Sequence, residues 1–215
     1  ATLLASKVEV VLLDIDKERI NKINAKVSPI KDDEVQEALS SGRLELTATG
    51  DIQEAYSGAD YAIVAVPTDY DPDTNRFDTS VVDKVVHDIM SFSPHPNVII
   101  KSTLPMGHTD FLRHRYSSNN IFFSPEFLRE GRALQDNLYP SRIIMGGKGE
   151  AAEAFSKLVL DCSISKSAKI LHMDSREAES VKLFSNCYLA MRVAFFNELD
   201  SFALKNNMDT LALIS

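Results

Sequence analysis

Val8-Glu-Val-Val-Leu-Leu13, closed at once by Asp14, is the stretch on which the reading of this chain turns. A short run dominated by Val and Leu suits a buried strand, and an acid directly after it marks that strand's carboxyl end. Working outward, the same kind of run returns at Tyr61–Val66, Val98–Lys101, Ile121–Phe123, Arg142–Met145 and Lys169–His172. Between these runs the spacing predicts amphipathic helices over Lys17–Ala25, Asp33–Leu39, Ser80–Phe92, His108–Tyr116 and Glu150–Leu160. Strands apolar on both faces, alternating with helices, imply a mostly parallel sheet covered on two sides. The expected fold class is therefore α/β, doubly wound and Rossmann-like.

After His172 the pattern changes. Asp174-Ser-Arg-Glu177 reads as a capping box with Asp as the cap, opening one long helix. Val181, Phe184, Tyr188, Met191, Phe195, Leu199 and Phe202 then follow at three- and four-residue steps, and neither Gly nor Pro interrupts them up to Lys205. Such a helix either spans two domains or packs on a second subunit, giving a homodimer; the alternative is a helix that caps its own domain. The expected division is residues 1–173 as one domain and 174–215 as the long helix with the start of a further domain.

Bulk composition bounds the function. With 44% hydrophobic and 25% charged residues, the chain has the make-up of a folded globular protein. A net charge of -8 leaves no broad basic face, which argues against nucleic acid and anionic membrane as partners. Lys, Asp and Glu interrupt every apolar run before it reaches membrane-spanning length. Cys162 and Cys187 have no metal or redox spacing and read as packing residues in a reducing, cytoplasmic setting. No metal is expected either. Asp69-Tyr-Asp-Pro-Asp-Thr-Asn75 imitates a calcium loop, but Thr74 stands where the turn needs Gly and Ser80 where the bidentate Glu belongs. That segment reads instead as a Pro/Asp turn.

In an open parallel sheet, ligands bind beyond the carboxyl ends of the strands. Reading past each strand gives Asp14, then Pro67-Thr68, then Ser102-Thr103, then Ser124-Pro125-Glu126. An acid at the position of Asp14 accepts hydrogen bonds from an adenosine ribose and favours NAD over NADP; alternatively Asp14 serves the helix starting near Asp16. The glycine fingerprint belongs about 20 residues before such an acid, yet residues 1–13 contain no Gly. The expectation is that the first strand and its glycine loop lie outside this sequence, with Ala1–Lys7 as the tail of the following helix. Ser124 reads as a helix cap with Pro125 in the first turn, which places Glu126 and Glu130 on one helical face. That pair suits general-base chemistry, or simply the helix dipole. Lys182 and Asn186, also four apart, suit an oxyanion site, or a solvated surface.

These segments together resemble the UDP-glucose/GDP-mannose dehydrogenase family. The matching pieces are Ala65-Val-Pro-Thr68, Ile100-Lys-Ser-Thr-Leu-Pro-Met-Gly107, Phe123-Ser-Pro-Glu-Phe-Leu-Arg-Glu-Gly131, Asn137-Leu-Tyr-Pro-Ser-Arg-Ile143 and Glu179-Ser-Val-Lys-Leu-Phe-Ser-Asn186, running into Phe196-Asn-Glu-Leu199. The resemblance implies oxidation of a nucleotide-sugar C6 alcohol to a carboxylate with two NAD in succession. The Phe-Leu-Arg-Glu-Gly form favours a UDP-glucose substrate, with GDP-mannose or another nucleotide sugar as the alternative. By resemblance, Asp14, Arg19, Thr68, Thr103 and Glu130 serve the cofactor, Arg19 standing where a Lys is common. Thr103 would hold a water and Glu126 would be the base for thioester hydrolysis. Glu126, Phe127, Leu128, Arg129 and Glu130 would line the UDP-sugar site, with Lys182 and Asn186 stabilising the oxyanion. The nucleophilic Cys belongs beyond residue 215 and matches neither Cys162 nor Cys187. A reading of another class is a catalytically silent fragment that dimerises through its long helix.

Overall fold

The computed structural model describes every residue except Glu130. In chain order the strands are β1 (Val10–Leu13), β2 (Leu46–Thr49), β3 (Tyr61–Val64), β4 (Tyr70–Asp71), β5 (Arg76–Phe77), β6 (Asn97–Ile100), β7 (Ile121–Phe123), β8 (Arg142–Gly146) and β9 (Lys169–Met173). The helices are α1 (Lys17–Asn24), α2 (Asp33–Ser40), α3 (Ile52–Tyr56), α4 (Ser80–Met90), α5 (His108–Tyr116), α6 (Ala133–Leu138), α7 (Glu150–Cys162), α8 (Ser175–Lys205) and α9 (Thr210–Ile214). The six strands and five helices expected from the alternation of apolar runs are present, their ends shifted by a residue or two at most. The pattern does not announce β2, whose Leu-Thr-Ala-Thr buries only Leu46 and Ala48. Nor does it announce α3 and α6, which are too short for a helical stripe to be read.

A five-stranded sheet runs in the order β3-β6-β7-β8-β9. Its pairings are parallel except between β7 and β8, which meet antiparallel at Phe123 and Gly146. The pleat explains how two layers of helix grip it, because successive side chains leave opposite faces. Val98, Ile100, Ile121, Phe123 and Ile144 pack against Val82, Val86 and Ile89 of α4, Leu112 of α5 and Ala178 of α8. Ile99, Phe122 and Met145 point the other way, onto Ala152 and Phe155 of α7. Val98, Ile99 and Ile100 are all 0% exposed, so β6 is covered on both faces. Each such side chain stabilises the fold by about 1.5–3 kcal/mol.

β1 and β2 form a separate parallel pair, packed with α1 and α2 around Ile23, Leu39, Leu46 and Ala48. Between this pair and β3 lies a cleft of about 310 Å³, lined by Leu12 of β1, Ile63 of β3 and the first residues Ala1–Leu4. Ile63 is 37% exposed although Val64 beside it is 1% exposed, because no strand among the described residues lies against the outer edge of β3. The helix tail expected over Ala1–Lys7 is a single 3-10 turn, Leu4–Ser6, and Leu3 and Leu4 pack with Leu158 and Cys162 of α7.

α8 begins as its sequence predicts. The Asp174 carboxylate accepts from Arg176 N–H at 2.9 Å, and Glu177 accepts from Asp174 N–H at 2.9 Å. Its first turns rest on the sheet so closely that a Cβ at Gly146 would stand 2.9 Å from Ala178 Cβ. The rest leaves the domain: Phe184, Tyr188, Met191, Phe195 and Phe202 are all more than half exposed. Capping its own domain thus accounts for the first turns of α8 only. Among the described residues no helix is long and apolar enough to cross a membrane.

Candidate functional site

The loops that leave β3, β6 and β7 are stitched to one another. Ser102 Oγ donates to the Val66 carbonyl at 2.6 Å, tying the β6 loop to the one that carries Pro67 and Thr68. Ser124 N–H donates to the Ile100 carbonyl at 2.9 Å, tying the β7 loop to the β6 loop. Thr68, Thr103, Glu126, Phe127 and Leu128 are all half-buried on these loops. Lys182 joins them from α8: its Nζ donates to the Glu126 backbone carbonyl at 2.6 Å and lies 5.5 Å from the centre of the Phe127 ring. Burial pushes the Lys182 ammonium below its usual pKa, and the nearby Glu126 charge offsets part of that shift. Arg142, at the start of β8, places a second cation 4.7 Å from the Phe127 ring centre.

Lys101 is a site residue that motif reading leaves unassigned. Its ammonium lies 3.0 Å from the Glu126 carboxylate, and its side chain is 14% exposed against 34% for Glu126. The available signal is position alone, since it follows directly on β6, where the chain leaves the sheet. The Glu126 carboxylate is thereby held by a cation from a neighbouring strand end, while its own carbonyl takes Lys182.

The local geometry of Glu126 corrects one expectation. Residues 124–129 are not helical, and the next helix begins at Ala133. Ser124 does not cap a helix because its hydroxyl, 2% exposed, donates to the Ile144 carbonyl at 2.9 Å. The helix expected to open at Ser124 and Pro125 and to carry Glu126 is therefore absent over residues 124–129, and Glu130 lies outside the described residues. Arg129 is exposed and committed to Asp136, with Nη2 to Oδ1 at 2.6 Å and Nε to Oδ2 at 3.2 Å. That pairing holds the Asp136 carboxyl below its usual pKa and raises that of Arg129. Asn186 is exposed one turn beyond Lys182.

Asp14 and Arg19 form a second group at the end of β1. Asp14 Oδ1 accepts from Asp16 N–H at 2.9 Å, and its Oδ2 lies 3.6 Å from Arg19 Nη1. The cap of α1 is Asp16, which accepts from Glu18 and Arg19 N–H. Asp14 thus orders the turn into that helix and keeps one oxygen beside a guanidinium. Cys162 is buried, and burial raises its thiol pKa. Cys187 departs from the expected packing role: it is exposed, because it lies on the part of α8 that has left the domain. Asp69–Asn75 holds β4 and the turn that leads from it into β5, in which Asp71 accepts from Asp73 N–H at 2.9 Å and from the Thr74 hydroxyl at 2.7 Å.

The chain is 51% identical over 206 residues to a protein of Campylobacter jejuni named UDP-glucose 6-dehydrogenase, covering 96% of this chain and 52% of the relative. It is 40% identical to a Streptococcus pneumoniae protein of the same name, covering all of this chain and 56% of the relative. The chain thus spans about half the length of the curated relatives it matches. Among solved structures, a UDP-glucose dehydrogenase from Pyrobaculum islandicum superposes with a TM-score of 0.84 at 30% identity, covering 99% of this chain and 51% of that one. A GDP-mannose dehydrogenase from Pseudomonas aeruginosa superposes at 0.86 with 23% identity over 99% of this chain and 51% of that one, a likeness of fold alone. Residues 1–161 match the NAD binding domain, and residues 176–215 the central domain, of one family. This chain, carrying that NAD-binding domain, belongs to the UDP-glucose/GDP-mannose dehydrogenase family.

Proposed function

We propose that the protein to which this chain belongs is an NAD-dependent UDP-glucose 6-dehydrogenase, oxidising UDP-glucose to UDP-glucuronate in two two-electron steps. The observation that carries the reading is the meeting of Lys182 and Lys101 at Glu126, at 2.6 Å from its carbonyl and 3.0 Å from its carboxylate. Lys101 holds the Glu126 carboxylate and Lys182 holds its backbone carbonyl, so a base candidate and a cation able to face a developing negative oxygen stand together at the strand ends, as hydrolysis of an acyl intermediate would use them. Glu126 then takes the proton of a water held near Thr103, while Lys182 and Asn186 stabilise the negative oxygen. Phe127, Leu128, Arg129 and Glu130 line the sugar nucleotide.

Asp14, Arg19, Thr68, Thr103 and Glu130 would hold NAD. The exposed turn after β1 fits the ribose end, since Asp14 keeps a carboxylate oxygen available beside Arg19. NAD, when bound, supplies the hydride acceptor. The cleft between β1 and β3 supports reading residues 1–173 as a dinucleotide domain lacking one strand. With the pair β2-β1 set on one side of the cleft and β3-β6-β7 on the other, the strands would follow the doubly wound order 3-2-1-4-5-6, the cleft standing at the place of strand 1. The exposed apolar stripe of α8 supports a homodimer through that helix, and the two free cysteines fit a cytoplasmic setting.

The test is stoichiometry. Supplied with UDP-glucose and NAD, the intact protein is expected to release two NADH per sugar oxidised. One NADH per sugar would make it a simple alcohol dehydrogenase, and turnover of GDP-mannose in preference to UDP-glucose would shift the substrate.

A further inference from the structure

Glu179 is a titratable side chain, 1% exposed, to which the chemistry above gives no part. Its three partners lie on one short stretch some seventy residues earlier. Gly107 N–H donates to Oε2 at 2.5 Å, and Thr109 donates to Oε1 with its N–H at 2.8 Å and with its hydroxyl at 2.6 Å. These backbone donors are the ones the start of α5 leaves unpaired. Gly107, the capping residue of α5, has φ of 90° and no side chain to accept from them. A carboxylate from α8 therefore caps α5, at the end of the helix that favours negative charge.

What this cap holds is the segment 101–107, which carries Lys101 and Thr103. Its start is fixed by Ser102 on the Val66 carbonyl and its middle by Leu104, 1% exposed. Its end is fixed by Glu179. On α8, Glu179 lies three residues before Lys182 and seven before Asn186, so the three share one helical face. One side chain thus ties the Thr103 segment to the face bearing Lys182 and Asn186.

We propose that Glu179 is a positioning residue, a clamp between the β6 loop and α8 that sets the distance from Thr103 to Lys182. The proposal rests on the roles given above to Thr103 and Lys182. A carboxylate is required because Glu179→Gln turns an amide N–H₂ toward N–H and O–H donors, leaving buried groups unpaired.

In the intact protein, Glu179→Gln is expected to lower kcat per folded active site about 10- to 100-fold, because sub-ångström misplacement of reacting groups is costly. KM for UDP-glucose and for NAD should stay within about threefold, since no group that touches either ligand is removed. Thr109→Val, which deletes one of the three bonds, should lower kcat several-fold, and Thr109→Ser should restore it. Hydrogen exchange by mass spectrometry should show residues 101–109 opening faster in Glu179→Gln while α7 exchanges as before. An unchanged kcat in Glu179→Gln overturns the proposal. So does a Thr109→Val protein indistinguishable from Thr109→Ser, which decides the matter even where Glu179→Gln does not fold. Should the unsubstituted protein fail to oxidise UDP-glucose, the functional reading falls and the exchange of 101–109 decides the clamp by itself. Unchanged exchange there sinks it.

Discussion

At the scale of single residues, the two lysines that meet Glu126 are charges partly withdrawn from water. Lys182 shows this most directly, because burial lowers its pKa below the ordinary 10.5 despite the neighbouring Glu126. Between the folded-state pKa and 10.5 the unfolded chain binds more protons than the folded one, so stability rises with pH across that alkaline window. Lys182→Met is expected to abolish the rise, leaving a flatter dependence of urea midpoint on pH. Equal slopes for the two proteins would show that Lys182 is not desolvated. The substitution also frees the Glu126 carbonyl, so loss of turnover in the intact protein should exceed any loss of stability.

At the scale of elements, strand edges decide what is secure. Among the described residues no strand pairs with the outer side of β2, yet Asn24, the last residue of α1, stands in for one. Its Oδ1 accepts from Ala48 N–H at 2.8 Å and its Nδ2 donates to the Ala48 carbonyl at 2.8 Å. One amide side chain so pairs both backbone groups of an edge residue, locking α1 to β2 and blunting the edge against foreign strands. Asn24→Ala is expected to cost about 1–2 kcal/mol in chemical denaturation, the net worth of two such bonds. An unchanged midpoint would mean that the edge pairs with water equally well. The same logic shows why β2 escapes detection in the sequence: it buries two side chains, and a side chain from a helix completes its ladder.

At the scale of the whole molecule, α8 dominates. Its 31 residues span about 46 Å at 1.5 Å per residue. Its first turns rest on the sheet and its last on α9, where the Thr210 hydroxyl donates to Asp200 at 2.6 Å and Ala203 is buried, while the middle stands clear of both. Phe184, Tyr188, Met191 and Phe195 follow at helical spacing and are 65–69% exposed, a patch that water does not favour. Met191→Glu with Phe195→Glu in the intact protein is expected to shift sedimentation toward a monomer while leaving the domain's thermal unfolding unchanged. A mass unaffected by both charges would assign this stripe to contacts within one chain.

How much of this was legible beforehand follows physical lines. Periodicity and burial of apolar runs, the Asp174–Glu177 cap and the polar residues at strand ends are local properties, so the α/β alternation, the long helix and the positions of Thr68, Thr103 and Glu126 are written in the sequence itself. Which groups meet is not local. Ser124 looks like a helix cap until the Ile144 carbonyl, brought up by an antiparallel neighbour, takes its hydroxyl. Lys101 and Glu179 look like an ordinary strand-end lysine and helix glutamate until packing sets them against Glu126 and the bare start of α5. Such pairings depend on contacts between residues far apart in the chain, and a pattern read along the chain carries only the contacts between near ones.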